Sequence, residues 1–350
     1  MREVDKRRNR QANAVSRREF LSLVTAAAGG AALMGAPRPV CAAAAPKYRF
    51  KLAHHLQLTH PVEIMSQKFA AGVAQRTNGE IEIKVFGAGQ IGGLKDNAEG
   101  VRLGTLDFSG SDCAQIGLFH ARANIISLPF LFRDYAHYLK VAEGPVGKAL
   151  AAEILQNTNI RILSYWPAGF RIMASRTKPI KSAADMKGLK IRIPEVPIYV
   201  ETMRALGANA TPMPWGEVYT SLQTGVVDAI EVPSDTIYNG KMYEVTKYLS
   251  RTYHIFTDCN LIVSEKVYQT LPPNLQQVLY QVAREVFWDW GAPESERLDK
   301  AGWDALVKAG MQGIEPDRES FRTAVKPVWD KFISQTNTGD WIKAIGDTKA

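Results

Sequence analysis

The fold is decided by residues 185–233, which read DMKGLKIRIPEVPIYVETMRALGANATPMPWGEVYTSLQTGVVDAIEVP. Short apolar runs with the alternation of strands occupy 189–193, 209–213 and 226–232, and each ends at a proline. Between them, 197–207 and 216–225 carry helix signals, and each closes on a glycine. Strands and helices that alternate with short connections predict parallel strands covered by helices, and therefore an α/β fold.

Two side chains with ligand-binding chemistry stand at strand ends in this segment, Arg192 and Trp215. Ligands of parallel sheets bind at the carboxyl ends of the strands. A guanidinium matches a carboxylate through two parallel hydrogen bonds and stays charged, while an indole offers a flat apolar wall. The pattern indicates an anion site. A structural ion pair and a core tryptophan are the alternative that these residues alone leave open.

Several ordered motifs extend this interpretation to nearly everything after residue 46. They are DMKGLKIRIP (185–194), PMPWGEVYTSLQTGVVDAIE (212–231), KMYEVTKYLS (241–250), GAGQIGG (87–93), GTLDFS (104–109), SLPFLFRD (127–134) and LPPNLQQVL (271–279). Together they resemble the solute-binding proteins of tripartite ATP-independent periplasmic (TRAP) transporters, the family of the dicarboxylate- and sialic-acid-binding receptors. The resemblance implies a two-domain periplasmic-binding-protein (Venus-flytrap) fold with a long kinked helix spanning both domains. It places domain I at 46–168 plus 258–299 and domain II at 169–257 plus 300–350.

The resemblance also implies a function. We expect a periplasmic receptor that captures a small organic acid and delivers it to a TRAP permease driven by an ion gradient. We expect neither enzymatic activity nor a cofactor, and a monomer. A sugar acid or a C4-dicarboxylate is the expected ligand. Many members have Glu-Asn-Pro after the third strand, whereas this chain has Glu231-Val232-Pro233. Because valine offers no hydrogen bond, a less polar keto, aromatic or branched acid is the alternative ligand.

Further site residues follow from the resemblance. Arg171 is expected to be a second cation in the cleft, and Phe170 to line its wall. From domain I, the candidates are His54, His55 and Asp112. Glu231 keeps its family place, with a structural role as its alternative. The alternatives for the others are solvated loop histidines and, for Asp112, the N-cap of the following helix.

The N-terminus predicts export. Residues 16–21, SRREFL, have the form of a twin-arginine signal, and an uncharged Ala- and Gly-rich stretch follows from 20 to 37. The alanines at 42–44 supply a cleavage site, so we expect cleavage near Ala44 and a mature protein in the periplasm. An uncleaved anchor and a lipoprotein acylated at Cys41 are disfavoured, since the stretch is short for a span and the residues before Cys41 are not small and apolar.

Composition excludes other classes. The formal charge is +8, but residues 1–44 hold eight Lys/Arg against three Asp/Glu, which leaves only +3 for the rest. The basic balance is therefore no argument for a nucleic acid partner. No Cys/His spacing indicates zinc, the loop 87–93 lacks the order of a nucleotide-binding loop, and no GxSxG elbow occurs. Cys113 and Cys259 either pair or stay free thiols, with free thiols favoured. A ligand-presenting subunit of a signalling receptor is the alternative class.

Overall fold

A computed structural model describes residues 45–349 of the 350-residue chain. The predicted export signal and its cleavage site near Ala44 lie outside these residues. Within 45–349, none of the helices combines the length and the apolar character that a bilayer crossing requires.

The strands of the described part form two sheets. Their bounds are β1 Tyr48–Ala53, β2 Ile81–Phe86, β3 Phe108–Ser111, β4 Ile160–Phe170, β5 Ile172–Ser175, β6 Lys190–Ile193, β7 Asn209–Pro212, β8 Ala229–Val232, β9 Tyr248–Ser250, β10 Phe256–Ser264 and β11 Gln312–Ile314. The first sheet has the order β2-β1-β3-β10-β4, and the second has the order β11-β9-β5-β8-β6-β7. Each sheet is the centre of one domain.

Helices cover both sheets. Their bounds are α1 Pro61–Arg76, α2 Leu94–Leu103, α3 Cys113–Ile116, α4 Tyr135–Glu143, α5 Pro145–Thr158, α6 Pro197–Ala205, α7 Val218–Thr224, α8 Ser234–Asn239, α9 Glu265–Tyr268, α10 Pro273–Ala283, α11 Gly291–Lys308, α12 Arg318–Ala324, α13 Lys326–Thr336 and α14 Gly339–Asp347. Short 3₁₀ helices occupy Ala121–Ser127, Ala183–Met186, Trp215–Glu217 and Met242–Glu244, and a π-helical segment occupies Arg284–Trp290.

The first domain is held by an apolar core on its sheet. Strands β1, β2 and β3 run parallel, and β10 lies antiparallel between β3 and β4. Phe69 of α1 packs edge-on against Phe108 of β3 and Phe287 of the π segment, with ring centroids 5.8 and 6.0 Å apart. Buried apolar area of this kind is the main favourable term in folding.

The second domain contains residues 185–233. Strand β6 pairs in parallel with β7 and with β8, so the predicted parallel arrangement is confirmed. The observed strands are shorter than predicted: β6 begins one residue later, β7 ends one residue earlier at Pro212, and β8 begins three residues later at Ala229. Pairing leaves Arg192 opposite Thr211 and Ile230, one residue before β6 ends at Ile193.

The chain passes between the sheets at Arg171, the one residue that separates β4 from β5. Its backbone N–H donates to the carbonyl of Ile255 at 2.8 Å, just before β10 begins. Gly169 precedes this point with φ +113°, and a Cβ there would come 2.5 Å from the Tyr135 hydroxyl. The predicted domain boundaries at 168 and 258 fall inside β4 and β10, because these two strands pair as far as Phe170 and Phe256. The chain therefore leaves the first sheet two residues later than predicted and re-enters it two residues earlier.

A single helical run extends from α10 through the π segment into α11. Helix α10 packs on α1 of the first domain, and α11 packs on α8 of the second. The π segment ends at Trp290, three residues before Pro293, which cannot donate the hydrogen bond of a regular turn.

The C-terminal helix departs from the predicted domain assignment. Residues 300–350 were all expected in domain II, but α14 packs on α5 of the first domain. The side chain of His137 reaches the carbonyl of Ile345 at 2.7 Å, and Arg133 donates to the carbonyl of Gly346 at 3.0 Å. These contacts assign α14 to domain I.

Candidate functional site

A cavity lies between the two domains, at the ends of β3, β6 and β8. The side chains that line it include His55, Leu56, His60, Asp112, Gln115, Trp166 and Ala168 from the first domain, and Arg192, Glu195, Met213, Trp215, Val232, Pro233 and Thr236 from the second. Its empty volume is about 870 Å³, counting the part open to solvent. The mixture of apolar walls with a few polar groups suits a small organic ligand.

Arg192 brings a buried positive charge to the wall of the cavity. Its side chain is only 4% exposed, and its Nε and Nη2 donate to the carbonyl of Met213 at 3.0 and 2.7 Å. Within residues 45–349 it forms no ion pair, and Nη1 has no hydrogen-bond partner. Burial, followed by the charge of Arg171, lowers the pKa of Arg192 to about 9 although Glu231 partly offsets this. A buried cation without a counter-ion favours an anionic ligand.

Trp215 packs beside this cation. The Cζ of Arg192 lies 5.5 Å from the centroid of the indole ring, and the ring lines the cavity. The Pro214 that ends the segment after β7 starts the 3₁₀ turn carrying Trp215, which explains why the indole stands at the strand end. The two predicted residues are therefore brought together, with a charge and an apolar wall side by side.

Arg171 lines the cavity too, but its charge is already matched. Its Nε and Nη2 bind the two carboxylate oxygens of Glu231, the latter at 2.7 Å, and Nη1 donates to Thr257 Oγ1 at 3.1 Å. His254 Nε2 lies 3.2 Å from the same carboxylate. Burial alone would raise the pKa of Glu231, but Arg171 and then His254 lower it to about 2. The expected second cation is therefore present at the cavity, but its charge is paired with Glu231, whereas Arg192 has no ion pair within residues 45–349.

Glu231 therefore has the structural role that the sequence left open. It is fully buried behind the cavity and does not line it. Phe170 is likewise removed from the wall: its ring packs at 5.0 Å from Tyr253 and 4.9 Å from Phe256. Phe170 is therefore part of a buried aromatic cluster and not of the cavity wall, so its predicted contact with the ligand is corrected. Trp166 does line the cavity.

The two adjacent histidines differ. His54 is buried and its Nε2 lies 2.6 Å from Glu63 Oε2, which turns it away from the cavity and corrects its predicted role. His55 lines the cavity, and its Nδ1 is buried without a partner among the described residues. Burial, then the charges of His60 and Arg192, lower the pKa of His55 to about 3. His55 is therefore a neutral hydrogen-bonding group at physiological pH.

Asp112 both caps a helix and lines the cavity. Its Oδ1 accepts from the backbone N–H of Gln115 at 2.7 Å, so it is the N-cap of α3, and it also lines the cavity. Burial and the neighbouring Asp258 raise the pKa of Asp112 to about 7, against the backbone hydrogen bond and Arg171. The carboxyl group changes its charge near neutral pH.

Gln115 and His60 are among the cavity residues that the sequence did not point to. The Gln115 side chain is 1% exposed, and its Oε1 has no partner within the described part of the chain. His60 caps α1 by accepting from the N–H of Val62 at 3.2 Å, and its Nε2 lies 3.4 Å from Asp235 Oδ2 of the other domain. The position of His60 before a helix-starting proline is a signal for the cap, but nothing local indicates its partner across the cavity.

The described residues offer no group of three or more His, Cys, Asp or Glu side chains able to hold a metal ion. Cys113 and Cys259 are free thiols, as favoured from the sequence. Cys113 is buried, whereas Cys259 is half-buried and lines the cavity. In geometry and charge, the site defines a two-domain binding protein for a small anion.

Comparison with known proteins gives the family. The sequence profile described as bacterial extracellular solute-binding protein, family 7, matches residues 52–336. The 2,3-diketo-L-gulonate-binding periplasmic protein of Escherichia coli is 33% identical over 309 residues, 87% of this chain and 93% of the relative. The sialic acid-binding periplasmic protein of Vibrio cholerae is 32% identical, over 78% of this chain and 85% of its own.

A solved structure agrees. The TRAP periplasmic solute-binding protein of Xanthobacter autotrophicus with bound β-D-galacturonate matches with a TM-score of 0.82 and 31% identity, over 86% of this chain and 100% of that one. The chain belongs to family 7 of the bacterial extracellular solute-binding proteins, the receptors of TRAP transporters. The predicted family, the two-domain fold and the receptor class are confirmed. Such receptors bind small acids and work with membrane permease subunits.

Proposed function

We propose that this protein captures a sugar acid in the periplasm and delivers it to a TRAP permease. The observation that carries the proposal is Arg192, a buried cation at the wall of the cavity with no counter-ion among the described residues. A ligand carboxylate supplies the missing negative charge through charge-assisted hydrogen bonds. The three relatives bind 2,3-diketo-L-gulonate, sialic acid and β-D-galacturonate, which are all sugar acids.

In this proposal the two domains bind opposite ends of the ligand. The carboxylate binds Arg192 while the carbon chain of the ligand packs against Trp215. His55 and Asp112, on the opposite domain, bind hydroxyl groups at the far end of the ligand. Because these contacts come from two domains, the ligand favours the state in which the domains are close together, and the permease recognises that state.

Transport requires export, and we propose that the twin-arginine segment directs it, with cleavage near Ala44. The mature receptor acts as a monomer and binds its ligand without turnover. Val232 lines the cavity where many family members have asparagine, so one side of the ligand meets an apolar surface. A less polar acid is the competing ligand class for this reason.

A thermal-shift screen of the mature protein tests the proposal. Residues 46–350 are titrated with aldonates, uronates, C4-dicarboxylates, keto acids and aromatic acids, because a ligand that binds only the folded state raises the melting temperature. We expect the largest shifts with sugar acids. Shifts confined to aromatic or branched acids would select the competing class, and no shift with any acid would overturn the proposal that the protein captures a sugar acid.

The membrane partner is tested separately. Co-purification with an integral membrane permease supports transport, whereas co-purification with a sensor kinase would reassign the protein to a signalling receptor.

A further inference from the structure

We propose that the cavity selects polyhydroxy acids with one carboxylate, and that Asp112 excludes a second carboxylate from the far end of the ligand. This inference rests on the proposed sugar-acid function and adds a rule of selectivity to it. It separates aldonates and uronates from the aldarates, in which the terminal carbon is also a carboxylate.

The cations around the cavity provide for only one carboxylate. Arg192 is buried and has no ion pair within residues 45–349, so its single positive charge can pair with one ligand carboxylate. The charge of Arg171 is already paired with the carboxylate of Glu231. Lys95 also borders the cavity but is exposed, and a carboxylate beside it stays in water, where ion pairs contribute little.

The first-domain wall offers acceptors and neutral groups. His55 is neutral because its pKa is lowered to about 3, and its Nδ1 is buried without a partner. Gln115 is almost fully buried, and its carbonyl oxygen Oε1 lacks a donor within the described residues. A buried acceptor without a partner costs free energy that a hydroxyl donor recovers. A ligand hydroxyl has a proton to donate to such an oxygen, and a carboxylate has none.

Asp112 adds charge repulsion to this mismatch. It lies one turn before Gln115 on the same cap of α3 and lines the cavity. Like charges in a site of reduced dielectric repel by several kcal/mol at contact distances. At pH 8 the repulsion weakens binding of a second carboxylate by about tenfold, because protonating Asp112, whose pKa is about 7, would relieve it at about 1.4 kcal/mol. The mismatch with the buried acceptors brings the total preference for a hydroxyl at the same carbon to about 100-fold.

Calorimetry with matched acids tests the rule. D-galactonate is compared with galactarate, and D-gluconate with D-glucarate, so that each pair differs only in whether the terminal carbon is a hydroxymethyl group or a carboxylate. The variant Asp112→Asn keeps the helix cap, because asparagine caps as well as aspartate. Asp304→Asn, on the exposed face of α11, is the matched control.

At pH 8 the wild type and Asp304→Asn should bind the better monocarboxylate about 100-fold more tightly than its dicarboxylate partner, and Asp112→Asn should reduce this ratio to about tenfold or less. Equal or tighter binding of the dicarboxylate by the wild type would overturn the inference and leave the receptor function standing. An unchanged ratio in Asp112→Asn would remove the role of Asp112. No binding of any of the four acids would count against both proposals.

The same ratio should depend on pH. Asp112 faces Arg171, Asp258 of β10 and the thiol of Cys259, and its pKa of about 7 means that it loses charge between about pH 8 and pH 6. The pKa of Asp258 is raised to about 6 by burial, so it changes in the same direction. Both ligands stay ionised in this range, so discrimination against the dicarboxylate should decrease as the pH falls. A ratio that is constant in the wild type would contradict the role of Asp112.

Discussion

Replacing Glu231 by glutamine should destabilise the protein more than any surface change of the same kind. The carboxylate lies between Arg171 and His254 at the point where the chain passes from one sheet to the other. Glutamine keeps the shape but removes the charge, and its amide N–H groups face the donors of Arg171. A guanidinium that is 4% exposed is then left without its counter-ion.

The size of the effect follows from two routes. Removing one partner of a buried ion pair costs about 3–5 kcal/mol. The pKa of Glu231 falls from 4.5 to about 2 on folding, and at about 1.36 kcal/mol per pKa unit this stabilises the folded state by about 3 kcal/mol at neutral pH. At about 2 °C per kcal/mol for a chain of this size, the melting temperature should fall by roughly 6–10 °C.

The pH dependence has a definite sign. Because the pKa is lower in the folded state, the stabilisation is complete above the unfolded value of 4.5 and is lost as the pH falls toward 2. The difference in unfolding free energy between the wild type and Glu231→Gln should therefore shrink from about pH 5 to about pH 3.

Denaturant unfolding of both proteins across this pH range measures the difference directly. Glu319→Gln is the control, since Glu319 is exposed and pairs with Arg322 at 3.4 Å on the surface, where such pairs contribute about 1 kcal/mol or less. If Glu231→Gln unfolded within about 1 kcal/mol of the wild type, or if the difference stayed constant down to pH 3, the account of this buried network would be refuted.

Three further predictions concern the cavity and the crossing between the domains. Asp235→Asn weakens the contact with His60 across the domains, so calorimetry should show sugar-acid binding weaker by about threefold to tenfold, and unchanged affinity would count against a bridge that favours closure. Gly169→Ala should lower the free energy of unfolding by about 2 kcal/mol or more, because its φ and the nearby hydroxyl leave no room for a methyl group; a melting temperature equal to that of the wild type would contradict this. Cys259 should react with a thiol reagent about tenfold more slowly at ten times the Kd of a sugar acid, while buried Cys113 stays unreactive, and equal rates for Cys259 would place the ligand elsewhere.

Sequence reasoning succeeded where a signal was local. Prolines after short alternating runs marked β6, β7 and β8 and put Arg192 and Trp215 at strand ends, where both line the cavity. A different local signal is present in α1, where the apolar residues Val62, Met65 and Phe69 recur at helical spacing and are buried. Strand ends and helix faces follow from neighbours along the chain, so they can be read without the fold.

The site residues whose predicted roles were wrong have partners that the neighbouring sequence does not reveal. Arg171 and Glu231 are 60 residues apart, and only the pairing of β5 with β8 brings them together. Glu63, which forms a hydrogen bond with His54, lies on the helix that follows the strand. No pattern at 54–55 distinguishes the histidine that faces the cavity from the one that faces the helix.

Calorimetry of Arg192→Met with the sugar acid that gives the largest thermal shift tests the central claim most directly. The substitution removes the charge and keeps an unbranched side chain, and no ion pair within the described residues is lost. We predict that affinity falls by a factor of about 100 or more, since the ligand carboxylate would be buried without a partner, while the melting temperature of the free protein changes by only a few degrees. Affinity equal to that of the wild type would contradict the claim that Arg192 binds the ligand carboxylate.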